Sequence, residues 1–198
     1  MNEVRLYIVD TRLVPITISD FKDALSVDEL KMLSKYKHDV TRKEKLVSLI
    51  LKKEFIGDYR LDENEKPVSD NMFFNVSHSH GVVALAICDN LPVGLDLEIL
   101  REYQDDVAKF ISSKEEYEYI KDNQSFFEVW TSKESLVKCL GIGLRTEVKK
   151  IPALPLNGNK IHLDNNYFAK TIKRGDFVMS ITLKSDEDFD VKVTHLSI

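Results

Sequence analysis

Cysteine is scarce in this chain: Cys88 and Cys139 are the only two in 198 residues, and they stand 51 positions apart inside apolar segments. No C-x-x-C pair and no Cys/His ligand spacing exists, so a thiolate metal site is excluded and both read as reduced core thiols of a cytoplasmic protein. An excess of positive charge is missing as well. With 28 Lys and Arg against 33 Asp and Glu, the net charge is −5, and no whole-surface field can hold nucleic acid or an anionic membrane. Any anionic ligand must be met by a local basic patch. The first residues, Met1 to Arg5, lack a basic stretch followed by an apolar one, so no secretory signal is read there. A stretch of 18 residues, 71–88, carries no Asp, Glu, Lys or Arg, but Asn75, Ser77, His78, Ser79 and His80 would be costly in lipid. It reads as a buried strand pair. Only 7 glycines and no low-complexity tract exclude collagen-like and disordered classes.

What remains is a chain with 43% hydrophobic and 31% charged residues, enough to bury a core in one domain or two small packed halves. Alternating or β-branched apolar runs predict strands over 4–9, 73–76, 82–88, 93–99, 177–183 and 191–196. Helical patterns cover 26–35, 42–55, 114–121 and 124–140; the first opens on Ser26 with Glu29 three later, and the last is stopped by Gly141-Ile142-Gly143. Because strands and helices mix without regular alternation, the fold class is α+β. The halves echo each other: residues 43–48 (K-E-K-L-V-S) resemble 133–138 (K-E-S-L-V-K) ninety positions on, 82–88 matches 177–183, and 93–98 matches 191–196. The expectation is a pseudo-dimer of two similar α+β halves, 1–100 and 101–198, hinged near 101–106 with a ligand cleft between them.

Several clusters carry chemistry. In Val93-Gly94-Leu95-Asp96-Leu97-Glu98, strand periodicity turns Leu95 and Leu97 to the core and puts Asp96 and Glu98 on one face, about 7 Å apart. Two carboxylates so placed repel unless a cation bridges them, and all-oxygen ligands suit a hard ion; a solvated strand face has the same pattern. On the helix 124–140, Trp130, Glu134 and Lys138 share a stripe. Beside the chain's single Trp, Glu134 is a metal ligand or general base, or half of an ordinary exposed Glu-Lys pair. Phe73 to Gly81 ends an apolar strand in Ser77-His78-Ser79-His80, able to hold a phosphate oxygen or simply to form a polar turn. It is not the G-x-S-x-G of a nucleophile elbow. Between Lys31 and Lys53 eight basic residues face only Asp39 and Glu44. Arg42 and Lys45, spaced i, i+3, could clamp a phosphate, or the run is a solvated face. Lys66-Pro67 offers a cation on a rigid turn.

Taken in order, V-G-L-D-L-E at 93–98 and W-T-S-K-E-S-L-V-K at 130–138 resemble the two-part signature of the Sfp-type 4′-phosphopantetheinyl transferases. Phe74 to Ser79 (F-N-V-S-H-S) is similar to the family's third motif, and Lys66-Pro67 to its G-K-P turn. The resemblance implies the family's pseudo-dimeric fold and transfer of the phosphopantetheine arm of coenzyme A to a serine of an acyl or peptidyl carrier protein, releasing adenosine 3′,5′-bisphosphate with Mg²⁺, or Mn²⁺, bound. By that similarity Asp96, Glu98 and Glu134 are the metal ligands. Glu134 is also the general base and Lys138 the group that neutralises the departing bisphosphate. Lys133, Ser77 and His78 contact phosphates, and Lys66 and Pro67 border the adenine. Some positions depart from the pattern: Leu95 replaces Ile or Val, Glu65 replaces a glycine, and where the family reads D-R-x-R-x-L-x-G this chain has Glu44 at the second arginine and Ser48 at the glycine. Arg42 or Lys45 is left to meet the 3′-phosphate. Phe110 to Tyr117 resembles the family's F-x-S-x-x-E segment facing the carrier, with Lys109, Lys114 and Lys121 nearby to steer an acidic partner. The expectation is a monomer that binds neither nucleic acid nor membrane. Two alternatives remain: a Mg²⁺-dependent phosphoryl or nucleotidyl transferase for another nucleotide, and a non-catalytic module that binds coenzyme A or a carrier.

Overall fold

The structure is a computed structural model that describes residues 2–63, 66–141, 148–154, 156, 159–162 and 166–197. Strand β1 (Asn2–Asp10) alternates strictly, burying Val4, Leu6 and Ile8 on one face while Val9 packs on the other. Two helices come next, α1 (Val27–Ser34) and α2 (Asp39–Phe55), then the short hairpin β2 (Arg60–Leu61) and β3 (Pro67–Val68). After the hairpin lie β4 (Phe73–Ser79), β5 (Val82–Cys88) and β6 (Val93–Ile99). Helices α3 (Asp105–Ile111), α4 (Lys114–Tyr119) and α5 (Asn123–Leu140) precede β7 (Asn159–His162), β8 (Asn166–Arg174), β9 (Phe177–Leu183) and β10 (Phe189–His195). One sheet has the order β10-β1-β5-β4 and the other β6-β9-β8-β7.

The hydrophobic patterns dictate a layered packing. Inward residues of β1 and β5 meet Val93, Leu95, Leu97, Phe177, Met179 and Ile181 in a core between the sheets. On the outer face of the first sheet, Val83, Leu85 and Ile87 pack against Leu46, Val47 and Leu51 of α2. On the outer face of the second, α5 covers Tyr167, Ala169 and Val178. Since β5 and β9 are covered on both faces, they read as unbroken apolar runs, and every residue of each is buried.

The predicted bounds of β5, β6 and β9 coincide with those observed. Strand β4 runs three residues past its predicted end because the turn comes only where His80 takes φ 47° and Gly81 φ 93°. The capping box at α1 is formed, with the Glu29 N–H donating to Ser26 Oγ at 3.2 Å and the Ser26 N–H to the Glu29 carboxylate at 2.6 Å. Gly141, φ 73°, ends α5 as expected; Ile142 and Gly143 lie outside the described residues, as does Glu65.

The expected division at 100/101 falls just after β6, which pairs with β9 through Leu95↔Ile181 and so belongs by its hydrogen bonds with the C-terminal strands. Conversely, β10 runs parallel to β1, with Val4 opposite Val191. Each half thus completes the other's sheet. Order β1, α1–α2, β4, β5 recurs as β6, α3–α5, β8, β9, and in both runs the first strand lies antiparallel to the last. In this correspondence 93–98 answers to β1 and not to 191–196.

Candidate active site

Strand β6 turns Gly94, Asp96 and Glu98 toward α5. Gly94 is what lets the helix approach: a Cβ there would lie 1.9 Å from the Ser135 carbonyl oxygen and 2.5 Å from the Cys139 nitrogen. At this spacing α5 brings Lys138 and Glu134 over the strand. Lys138 Nζ donates to Asp96 Oδ1 at 2.6 Å and to Ser77 Oγ at 3.2 Å. Asp96 is 5% exposed, and its Oδ2 has no hydrogen-bond partner among the described residues. The same is true of Glu134 Oε1 on a side chain that is also buried.

Burial pushes the Glu134 carboxyl up to about 6, with the charges of Asp96 and Glu98 adding to it and Lys138 opposing. Asp96 is raised by burial too, against the pull of Lys138. Three mutually repelling carboxylates with two orphaned oxygens are short of positive charge. Hard oxygen donors of this kind fit a divalent cation of the Mg²⁺ type, although among the described residues no three His, Cys, Asp or Glu side chains form a ready-made metal group. Lys138 and Arg101 stand in part for that charge, Arg101 donating to Glu98 at 2.8 Å.

Strand β4 locks the carboxylates from the other side. Asn75 Oδ1, Ser77 Oγ and Ser79 Oγ accept the backbone N–H groups of Leu95, Leu97 and Ile99 at 3.0, 3.1 and 3.3 Å. Each acceptor lies two residues beyond the last, so the period of one strand reads the period of the next. Ser77 also donates to Asp96 at 3.0 Å and Ser79 to Glu98 at 2.6 Å. Ser77, expected to contact a phosphate, is buried and fully engaged in holding Asp96.

Across β4, His78 faces α2. Its Nε2 lies 2.9 Å from Lys45 Nζ, and its Nδ1 lies 3.1 Å from Glu44 Oε2. Lys45, Ser48, Lys52, Pro67, Asn75 and His78 line a cavity of about 240 Å³. Burial lowers the Lys45 pKa, with Glu44 opposing and Lys52 reinforcing. Arg42 lies elsewhere, bound to Asp39 at 2.8 Å and lining a separate cavity of about 670 Å³ with Thr17, Ser19 and Ser34. The pair expected to clamp one phosphate is thus divided between two cavities. Lys66 donates to the Lys138 carbonyl at 2.8 Å and, with Pro67, lines a smaller cavity beside Phe73 and Phe74.

Lys133 is the clearest correction. Expected to reach a phosphate, it is fully buried, paired with Glu116 at 2.8 Å and donating to the carbonyls of Val148 and Ile151. One residue from Glu134 is about 100° of helix rotation, which points Lys133 away from the site. Two residues escaped the sequence reading. Arg101 gave no signal. Glu44 did: with Val47 and Leu51 it continues the buried i, i+3, i+7 stripe of α2, an odd place for a carboxylate among lysines.

A strand carboxylate pair faces a helical glutamate and lysine beside a lysine-lined cavity, an arrangement with donors for a cation and for an anionic group. Residues 92–189 match the family model described as the 4′-phosphopantetheinyl transferase superfamily. Over 139 residues, 67% of this chain and 54% of the relative, the sequence is 30% identical to the 4′-phosphopantetheinyl transferase gsp of Aneurinibacillus migulanus. A 4′-phosphopantetheinyl transferase of Bacillus subtilis is 30% identical over 135 residues, 64% of this chain and 56% of the relative. The 4′-phosphopantetheinyl transferase Sfp of Bacillus subtilis strain 168 is 28% identical over 162 residues, 72% of this chain and 68% of the relative. The chain belongs to the 4′-phosphopantetheinyl transferase superfamily. It spans little more than half the length of the first two relatives.

Proposed function

We propose that the chain transfers the 4′-phosphopantetheine moiety of coenzyme A to a serine of an apo acyl or peptidyl carrier protein, releasing adenosine 3′,5′-bisphosphate. The observation that carries this reading is the pair of buried, unpartnered oxygens, Asp96 Oδ2 and Glu134 Oε1, set beside Lys138. Asp96, Glu98 and Glu134 would hold Mg²⁺ or Mn²⁺. When bound, the cation supplies positive charge opposite the pyrophosphate of coenzyme A. Glu134, buried on α5 with one unpartnered oxygen, takes the serine proton. The serine oxygen forms its bond to the phosphorus that bears pantetheine as the bond to the bisphosphate oxygen breaks, and Lys138 Nζ balances the charge of that leaving group.

Lys45, beside His78, meets a phosphate in the lysine-lined cavity, with Lys66 and Pro67 at the adenine edge and Arg42 as a more distant contact for the 3′-phosphate. The carrier approaches by α3, where Phe110 is 78% exposed among Lys109 and Lys114. The protein acts as a cytoplasmic monomer. No helix among the described residues is long and apolar enough to cross a membrane. Two tandem copies of one unit meet at the site, and we place their junction ahead of β6.

The test is to incubate the protein with coenzyme A, Mg²⁺ and a panel of apo carrier proteins and to weigh the intact carriers. A gain of one phosphopantetheine, abolished by a chelator, is expected. No gain on any carrier, with coenzyme A still bound, would replace catalysis by the binding-module reading.

A further inference from the structure

Glu44 is a charged residue in a core position. It is 4% exposed, and its two oxygens have different duties: Oε1 accepts the Gly81 N–H at 2.7 Å, while Oε2 lies 3.1 Å from His78 Nδ1. Burial pushes its pKa up, but His78 and the Gly81 N–H outweigh that and hold it below the ordinary range, so the group is a carboxylate. On the far side of the ring, Nε2 faces Lys45 Nζ at 2.9 Å. An ammonium has only protons to offer, so Nε2 must present its lone pair and the ring proton must sit on Nδ1, against Glu44. The other charged groups near this line are Lys52, further along α2 in the same cavity, and His80 in the turn after β4.

We propose that Glu44 is a positioning residue: it fixes the Nδ1–H tautomer of His78 and thereby aims Lys45 into the cavity. Adjacent positions on α2 diverge by about 100°, which lets Glu44 and Lys45 grip one imidazole from its two nitrogens. Nδ1 is buried and makes no hydrogen bond of good geometry among the described residues, so the carboxylate 3.1 Å away acts on the neutral ring by charge–dipole attraction, and the charge of Glu44 matters more than its direction. Glutamine cannot replace it. An amide has one acceptor oxygen; with that oxygen on the Gly81 N–H, its NH₂ faces Nδ1, the ring proton moves to Nε2, and Lys45 is driven off.

The inference rests on the proposed function only in taking the cavity's ligand to be a phosphate ester. Its first test therefore uses the free protein: nitrogen-15 NMR of the histidine side chains at pH 8. Wild type is expected to show His78 as the Nδ1–H tautomer, and Lys45→Met to keep it, because the carboxylate and not the lysine sets it. Glu44→Gln is expected to shift it to Nε2–H. An Nε2–H ring in wild type, or a tautomer that follows Lys45→Met instead of Glu44→Gln, overturns the proposal. The wild-type and Lys45→Met spectra decide even if Glu44→Gln does not fold.

The second test is calorimetric binding of adenosine 3′,5′-bisphosphate. Glu44→Gln and Lys45→Met should each weaken it about tenfold, and the double variant no further, because both act through one ammonium. Additive losses would overturn the aiming role. Unchanged binding in Lys45→Met would remove the phosphate from this cavity and the aiming role with it; carrier modification intact in the same variant would show that the proposed function survives.

Discussion

Glu134 has one unpartnered oxygen and a raised pKa, and both can be tested without a ligand. A carboxyl whose folded value of about 6 exceeds its ordinary 4.5 binds its proton more tightly when folded. Its stabilising contribution is complete below about pH 4.5 and lost as pH rises through about 6. In metal-free buffer Glu134→Gln should melt a few degrees above wild type beyond pH 6, with the two curves converging below 4.5, as scanning calorimetry would show. Carrier modification should fall about a thousandfold or more in the same variant; near-normal turnover would remove Glu134 from the chemistry. Lys133→Ala should behave in the opposite manner. Removing one partner of a buried ion pair strands Glu116, at a cost of about 3–5 kcal/mol in urea unfolding. A selective loss of coenzyme A affinity with full stability would restore the phosphate role that its burial denies. At this scale the motif letters were legible but not their directions. Asp96, Glu98, Glu134 and Lys138 converge as the periods of strand and helix require, whereas Lys133 and Ser77, read as ligand contacts, turned out to brace the fold. Adjacent residues on a helix diverge, and a motif does not say which of them faces the ligand.

Among the elements, α5 and β6 are set by one missing side chain. An alanine Cβ at position 94 would overlap the Ser135 carbonyl, so Gly94→Ala must lift the helix or bend the strand. Its expected cost is at least 1–3 kcal/mol of stability, roughly, from overpacking. Because Glu134 and Lys138 ride on α5 while Asp96 sits on β6, activity should fall further than stability predicts; urea unfolding and carrier modification measured side by side would separate the two. Strands covered on both faces announced themselves as continuous apolar runs, which is why β5 and β9 were predicted to the residue, while β6 was bounded by the alternation of Leu95 and Leu97 with Asp96 and Glu98. Strand β8 was missed because Lys170, Thr171 and Lys173 interrupt its alternation, and only Tyr167 and Ala169 are buried along it. Helix α3 opens on Gln104 with no side-chain cap and so lacks the start signal that Ser113 and Glu116 give the still shorter α4.

For the molecule as a whole, the two halves are interlocked. Strand β10 covers β1, and Phe189 at its start is fully buried in the core between the sheets. Truncation from Phe189 onward should therefore abolish the cooperative unfolding transition followed by circular dichroism, and not merely shave an edge. The order of strands and helices is the part of the proposed duplication that topology supports: β6 lies antiparallel to β9 as β1 lies antiparallel to β5, whereas 191–196 falls on β10, which runs parallel to β1.

A protein with two open sheets carries a hazard, since every open sheet ends in strands whose unpaired amides are templates for association with another chain. Here the side chains of Asn75, Ser77 and Ser79 cap the outward N–H groups of β6, so two vulnerable margins neutralise each other inside a single molecule. The seam that presents Asp96 and Glu98 is in this sense also a safeguard of solubility. Substitutions that blunt the site from β4 carry a second cost in self-association.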